Sequence, residues 1–263
     1  MIAVMGDACL SFREKEGGVF DCEVSGYGYR VARTLAEKGA FPALFSSLGD
    51  DKAGTIIVER LVEDEILFDP DIVRLPFKSN IEIRYADGTV SDFFQYSSSA
   101  LLSSEALQAA LSVHTNIKAV HLSGRSLCYN PTSTSFIDQA LFISPRPFLL
   151  VDLNASPSSQ VLSRSIQSIL PYSDLFITGE GDVFPEVMEG GRLVLLLRKD
   201  SVDVLRKGES VFFVPLKRKI SGDEFSASIL FHLERSGFLP PDGEDIVDYE
   251  LDDCFIEEMI KAV

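Results

Sequence analysis

Tryptophan is missing from this chain of 263 residues, and histidine and cysteine are scarce, at three and four residues. The cysteines, Cys9, Cys22, Cys128 and Cys254, are scattered without a C-x-x-C pair, and His114, His121 and His232 give them no company. That pattern argues against a zinc site or a disulfide framework and predicts buried, reduced thiols. No apolar run approaches the roughly 20 residues needed to cross a bilayer. The opening Met1-Ile-Ala-Val-Met-Gly6 has neither a basic segment nor a small-residue cleavage site, so a cytoplasmic protein without a membrane partner is expected. Basic residues are outnumbered, 24 against 40 acidic, for a net charge of -16. Such a surface repels nucleic acid, and a bound nucleotide would need backbone N–H groups or a metal ion to offset the field.

What is abundant is apolar sequence, 46% of the chain, enough for one compact unit over 1–263 with a small appendage. Short β-rich runs alternate with segments of helical period, the pattern of a mostly parallel sheet covered by helices on both faces. Candidate strands are Ile2 to Met5, Ala43 to Phe45, Ala119 to Leu122, Phe148 to Val151, Leu175 to Thr178 and Leu193 to Leu197. They are apolar at nearly every position, as strands buried on both faces must be. Tyr29 to Lys38 and Lys52 to Val62 read as helices that cover the sheet. Asn80 to Tyr85 alternates, Asp87-Gly88 turns, and Ser91 to Tyr96 returns, which predicts a hairpin and a small β lid over about 79–97. A second hairpin is expected from Val202 to Leu205, the Lys207-Gly208 turn and Val211 to Val214.

The segment with most chemistry is Lys219 to Leu233, where a polar turn holding Ser221, Gly222 and Asp223 opens an amphipathic helix. Unpaired N–H groups and the helix dipole can cradle charge developing on a transferring phosphoryl group. Asp223 would then accept the proton of the attacking hydroxyl. On side-chain chemistry alone, stabilising the first helical turn is the plainer role for Asp223. Among weaker candidates, Gly26-Tyr-Gly28 is half of a dinucleotide fingerprint without its third glycine, His121 reads as a satisfied structural histidine, and Tyr27 and Tyr29 as packing residues.

The Gly222-Asp223-x-Phe225 segment resembles the G-A-G-D-x-F signature of ribokinase-like sugar kinases, the PfkB carbohydrate kinase family. Other stretches follow in that family's order. Gly6-Asp7 to Phe12 resembles its opening, Gly49, Asp51 and Gly54 its G-x-D-x-x-G element, and Asp152-Leu-Asn154 the D-x-N element midway along its members. The resemblance is nearest to fructokinase-like members and implies a ribokinase-like α/β fold, ATP with Mg2+, and transfer of the γ-phosphoryl group to a hydroxyl of a small sugar. Asp223 would be the base, and Gly222 with Ser221 the anion hole. Ser11, Gly26, Arg30 and Asn154 would border the acceptor, and Arg198, Lys199, Glu180 and Asp182 the nucleotide side. A homodimer through the lid is also implied.

Several positions depart from the family pattern: Ile220 replaces its first glycine, Ser11 its opening Asp and Arg30 its asparagine, and Leu197 to Val202 contains no glycine. The chain is short between Asp182 and Leu193, where a helix is expected to be missing. These departures leave open a second reading, a kinase fold that binds a small ligand or partner without turnover.

Overall fold

The computed structural model describes residues 1–69, 74–114, 116–154, 156, 160–181, 184–239 and 251–263. Its strands are β1 (Ile2–Met5), β2 (Cys9–Glu14), β3 (Phe20–Ser25), β4 (Pro42–Phe45), β5 (Leu48–Gly49), β6 (Arg74–Leu75), β7 (Ile81–Arg84) and β8 (Val90–Asp92). The second half of the sequence adds β9 (Ala119–Ser123), β10 (Phe148–Asp152), β11 (Leu175–Gly179), β12 (Val194–Leu197), β13 (Ser201–Arg206) and β14 (Glu209–Pro215). Helices are α1 (Tyr27–Glu37), α2 (Lys52–Glu63), α3 (Ser104–Ser112), α4 (Thr132–Phe142), α5 (Gln160–Ile169), α6 (Pro185–Gly190), α7 (Gly222–Arg235) and α8 (Asp253–Lys261). Among the described residues no helix is long and apolar enough to cross a membrane.

The main sheet has eight strands in the order β14-β13-β12-β11-β10-β9-β1-β4. The six strands from β12 to β4 run parallel, as their apolar composition predicts. Alternate residues feed two separate cores. Ile2 and Val4 of β1 pack with α1, α2, α7 and α8, whereas Ala3 and Met5 pack on the other face with α3, α4 and α5. The predicted hairpin at 201–215 is present, with Lys207 and Gly208 both at positive φ, and it extends the sheet antiparallel to β12. Between Asp182 and Leu193, where a helix was expected to be missing, the backbone forms the six-residue α6, begun by Pro185 at a position that needs no N–H.

A second sheet of four strands, β3-β2-β7-β8, forms the lid. The Asp87-Gly88 hairpin occurs as predicted, but its second arm ends at Asp92. The Asp92 carboxylate there accepts the Phe94 N–H at 3.0 Å, turning the backbone so that Phe94 is buried. Half of the lid comes from β2 and β3, outside the 79–97 hairpin, because β2 pairs parallel with β7 from Leu10 opposite Ile81 to Arg13 opposite Arg84. The thiols divide evenly: Cys9 and Cys128 are buried, whereas Cys22 on β3 and Cys254 on the first turn of α8 are exposed, against the expectation that all are buried.

Gly49, Asp51 and Gly54 have a physical explanation as a clamp on the lid. Asp51 caps α2 by accepting the Gly54 N–H at 2.8 Å, and it also accepts the N–H and hydroxyl of Ser79, at the foot of β7. A Cβ on Gly49 would lie 2.3 Å from the Phe77 carbonyl oxygen, and one on Gly54 2.2 Å from that of Gly49, so no side chain fits at either position. Burial pushes the Asp51 carboxyl up, but the three donors outweigh it and hold the group below its ordinary range. A depressed carboxyl contributes stability that is present above about pH 4 and lost as pH falls through the folded value. Asp51→Ala is therefore expected to cost about 1 kcal/mol at pH 7, at the modest end because the site is solvent-screened. The deficit should shrink toward zero below pH 4 in chemical denaturation, and a pH-independent deficit would refute the assignment.

Candidate active site

The carboxyl ends of β1, β9 and β10 meet beneath the lid, and the α1 N-terminus is driven against them. Gly28 crosses Gly6 so closely that a Cβ on either would lie 2.7 Å from the other's backbone. Gly26, at φ 111°, makes the turn into the helix. The Asp7 carboxylate fills the space ahead of α1, with Oδ1 accepting the Tyr27 N–H at 3.1 Å. Its other oxygen, Oδ2, is buried without a hydrogen bond and faces the Arg125 guanidinium at 3.9 Å.

At the end of β10 the fully buried Asp152 gathers the site. Its Oδ1 accepts the backbone N–H and side-chain amide of Asn154, at 3.0 and 2.8 Å. Its Oδ2 accepts the Tyr27 hydroxyl at 2.7 Å and that of Ser226 on α7, and His121 Nε2 stands 3.3 Å away. Burial first, and then the Asp152 charge, push the Tyr27 phenol well above its ordinary value, so it stays a donor. His121 is fully buried on β9, but its Nδ1 has no hydrogen-bond partner among the described residues, so it is not the satisfied histidine expected. Tyr27 packs as expected but also anchors α1 to the hub.

The hub brings Arg30 and Asn154 of the predicted acceptor residues together with Gly222 and Asp223, while Ser11 is held apart by Glu82. Gly222 lies against Asn154, where a Cβ would come within 2.8 Å of the asparagine side chain. One residue on, Asp223 projects from the first turn of α7, with Ser221 at the N-cap. Arg30, one turn into α1, donates from Nε to Asp223 Oδ2 at 3.0 Å and from Nη1 to Ser25 Oγ at 3.2 Å, its guanidinium 5.6 Å from the centre of the Tyr27 ring. Ser11 is buried on β2 and donates to Glu82 Oε1 at 3.3 Å. Glu82 also accepts from Arg84 at 2.6 Å, and Arg125 bridges it to Asp7 and Asp92. Asp7 and Asp152, which lie in the resembling motifs, are thus joined at the site by Glu82 and Arg125, which no motif named. The two aspartates also sit at the ends of apolar strands, whereas nothing local relates Glu82 to Arg125, which meet only in the fold.

The nucleotide-side residues behave differently. Arg198 and Glu180 are brought together, but as partners: Arg198 Nη1 donates to Glu180 at 2.8 Å and Nη2 to Asp203 at 2.6 Å. Lys199 is exposed on the tight turn that follows β12. Asp182 lies outside the described residues. Ile220, in place of the first glycine, packs against the core at the foot of α7. Among the described residues no group of three or more His, Cys, Asp and Glu is placed to hold a metal ion.

No protein-family model matches the sequence, and no curated protein matches it significantly. Solved structures match it throughout. A fructokinase with bound ATP from Xylella fastidiosa superposes with a TM-score of 0.83 at 17% identity, over 99% of this chain and 88% of that one. An aminoimidazole riboside kinase from Salmonella enterica, complexed with aminoimidazole riboside and an ATP analogue, gives 0.78 at 15%, over 99% and 90%. An uncharacterized sugar kinase from Pyrococcus horikoshii in complex with ATP gives 0.73 at 16%, over 89% and 85%. The protein therefore has the ribokinase-like α/β fold of these structures, as its motifs predict.

Because Asp152 accepts every bond aimed at it, Asp152→Asn turns one acceptor oxygen into a donor facing donors. The expected loss is on the order of 2–4 kcal/mol, a fall in Tm of roughly 5–12 °C. Tyr27→Phe, which removes one bond, should cost about 1 kcal/mol. Equal losses in the two variants by calorimetry would remove Asp152 from the centre of the network.

Proposed function

We propose that the protein is a cytoplasmic, ATP-dependent carbohydrate kinase in which Asp223 takes the proton of an acceptor hydroxyl. The observation that carries this reading is the seat of Asp223 on the first turn of α7, beside Gly222 and Asn154. It lies in a fold whose neighbours include sugar kinases with ATP bound. The free N–H groups at the start of α7 face the position where phosphoryl charge would develop. Ser11, Gly26, Arg30 and Asn154, with Glu82 and Arg125 of the lid side, would surround a polyhydroxyl acceptor with donors and acceptors of both kinds. Ser221 and Lys199 lie toward the nucleotide, and Arg198 and Glu180 would have to part to engage it. Mg2+ neutralises phosphate charge when bound. The described residues suit an ion carried by the phosphates and water rather than a protein cage, with Glu180 the carboxylate at the end of β11.

The Arg30 to Asp223 ion pair favours a second reading, a binding protein whose base is occupied. The two readings separate on ADP release from Mg-ATP with a panel of hexoses, pentoses, keto-acids and nucleosides. A kinase turns over one acceptor, and Asp223→Asn lowers the rate by roughly 10²–10⁴-fold. A folded protein with no turnover and no thermal shift at saturating Mg-ATP, where about 2.7 kcal/mol is expected at 100 times Kd, belongs to the second reading.

The lid also supports a homodimer. Its strands and the turns that follow them expose Phe20 and Tyr85, 42% and 38% accessible and packed edge to face, together with Val90, Phe93 and Tyr96. Pairing two such faces would cover this apolar surface and the free strand edges. Light scattering should return twice the protomer mass, and a monomer at micromolar concentration would end the idea.

A further inference from the structure

Lys219, in the turn ahead of α7, and Lys199, after β12, are exposed cations, whereas the other groups nearby are engaged. Ile220 packs into the core, Arg218 is bound by Glu224, Lys217 donates to the Lys261 carbonyl, and Arg198 is closed between two carboxylates. Arg30 differs. It reaches Asp223 through Nε and Ser25 through Nη1, the described residues offer its Nη2 no partner, and its side chain is 36% exposed. Its guanidinium rides over the Tyr27 ring, a contact that tolerates sliding and rotation of the cation. The backbone beneath it is fixed by the Gly6 to Gly28 crossing, so the distal part of the side chain is what can move.

We propose that Arg30 is a catalytic residue: its guanidinium holds Asp223 in the unliganded protein and moves to the transferring phosphoryl group once nucleotide is bound. The inference rests on the kinase reading above. An acceptor oxygen must come within about 3 Å of Asp223 to surrender its proton, and within about 3.5 Å of phosphorus to attack it. Arg30, already 3.0 Å from the same carboxylate, therefore lies within one side-chain rotation of the phosphoryl oxygens. In the step, the acceptor O–H proton passes to Asp223 while its oxygen bonds to the γ-phosphorus. The bond from that phosphorus to the β,γ-bridging oxygen breaks, and ADP leaves with the electron pair. Moving the guanidinium vacates the Oδ2 lone pair for the incoming proton and places a planar fork on the phosphoryl oxygens. One motion thus serves both halves of the reaction.

The test compares the parent protein with Arg30→Ala and Arg30→Lys in steady-state kinetics. In parallel, calorimetry compares ADP alone with ADP plus aluminium fluoride, a mimic of the transferring phosphoryl. Arg30→Ala should lower kcat by roughly 10²–10³-fold and change the KM for ATP by less than about threefold. Added guanidinium at millimolar concentration should restore part of that kcat. Arg30→Lys, which keeps the charge without the fork and guards against a folding defect in the alanine variant, should still lose about tenfold or more. The parent should bind ADP with aluminium fluoride more tightly than ADP, and Arg30→Ala should not. Faster turnover in Arg30→Ala would make Arg30 a lock and overturn the inference, as would an equal gain from aluminium fluoride in both proteins, whether or not an acceptor is found. A parent protein that binds no nucleotide would instead remove the kinase reading, and this inference with it.

Discussion

A carboxylate with no exposure to water must be met by donors on every side, and Asp152 is met by α1, α7 and its own strand end at once. A buried charge left unpaired would cost several kcal/mol, so the elements that supply its donors are constrained in position and in rotation. Tyr27 fixes the face that α1 turns toward the sheet, which sets Arg30 one turn later. Ser226 does the same for α7, which sets Asp223 almost one turn earlier. Asn154, bonded to the same carboxylate, then requires that its neighbour on α7 be Gly222, because no Cβ fits between them. The site is arranged around one buried acceptor.

Charge is balanced locally despite the acidic excess of the whole protein. Arg125 is held protonated by the carboxylates of Asp7 and Asp92 against the cost of its burial. Glu82 stands between Ser11, Arg84 and Arg125. The carboxylate that the resemblance leads one to seek at Ser11 is thus present on the paired strand, opposite it in register. Acidic groups are thus held in place there by cations. Arg30, with a guanidinium nitrogen that no described residue engages, stands beside Asp223, the candidate base.

Sequence and structure can be compared element by element. The strands of the main sheet were legible because burial on both faces leaves runs such as Phe148 to Asp152 with almost no polar residue. The Asp87-Gly88 and Lys207-Gly208 turns were legible because positive φ restricts the residues that can occupy them. Lid strands β2 and β3 were not, since Cys9 to Glu14 and Phe20 to Ser25 carry charges on a half-exposed sheet and gain their identity by pairing with β7, far along the sequence. In the site, the Gly222-Asp223 turn was visible in the sequence, and the partner of Asp223 was not. Nothing local relates Arg30 to a carboxylate 193 residues away.

By itself, then, the sequence determined the fold class, the main-sheet strands and the turn that carries the candidate base, because each is written in local periodicity and backbone demand. Only the tertiary structure decided which charges face one another. It set Arg30 on Asp223, Arg198 between Glu180 and Asp203, and Glu82 beside Ser11. The physical reason is that hydrogen bonds and ion pairs act over a few ångströms in space, and those distances are set by how helices and strands pack, not by their spacing along the sequence.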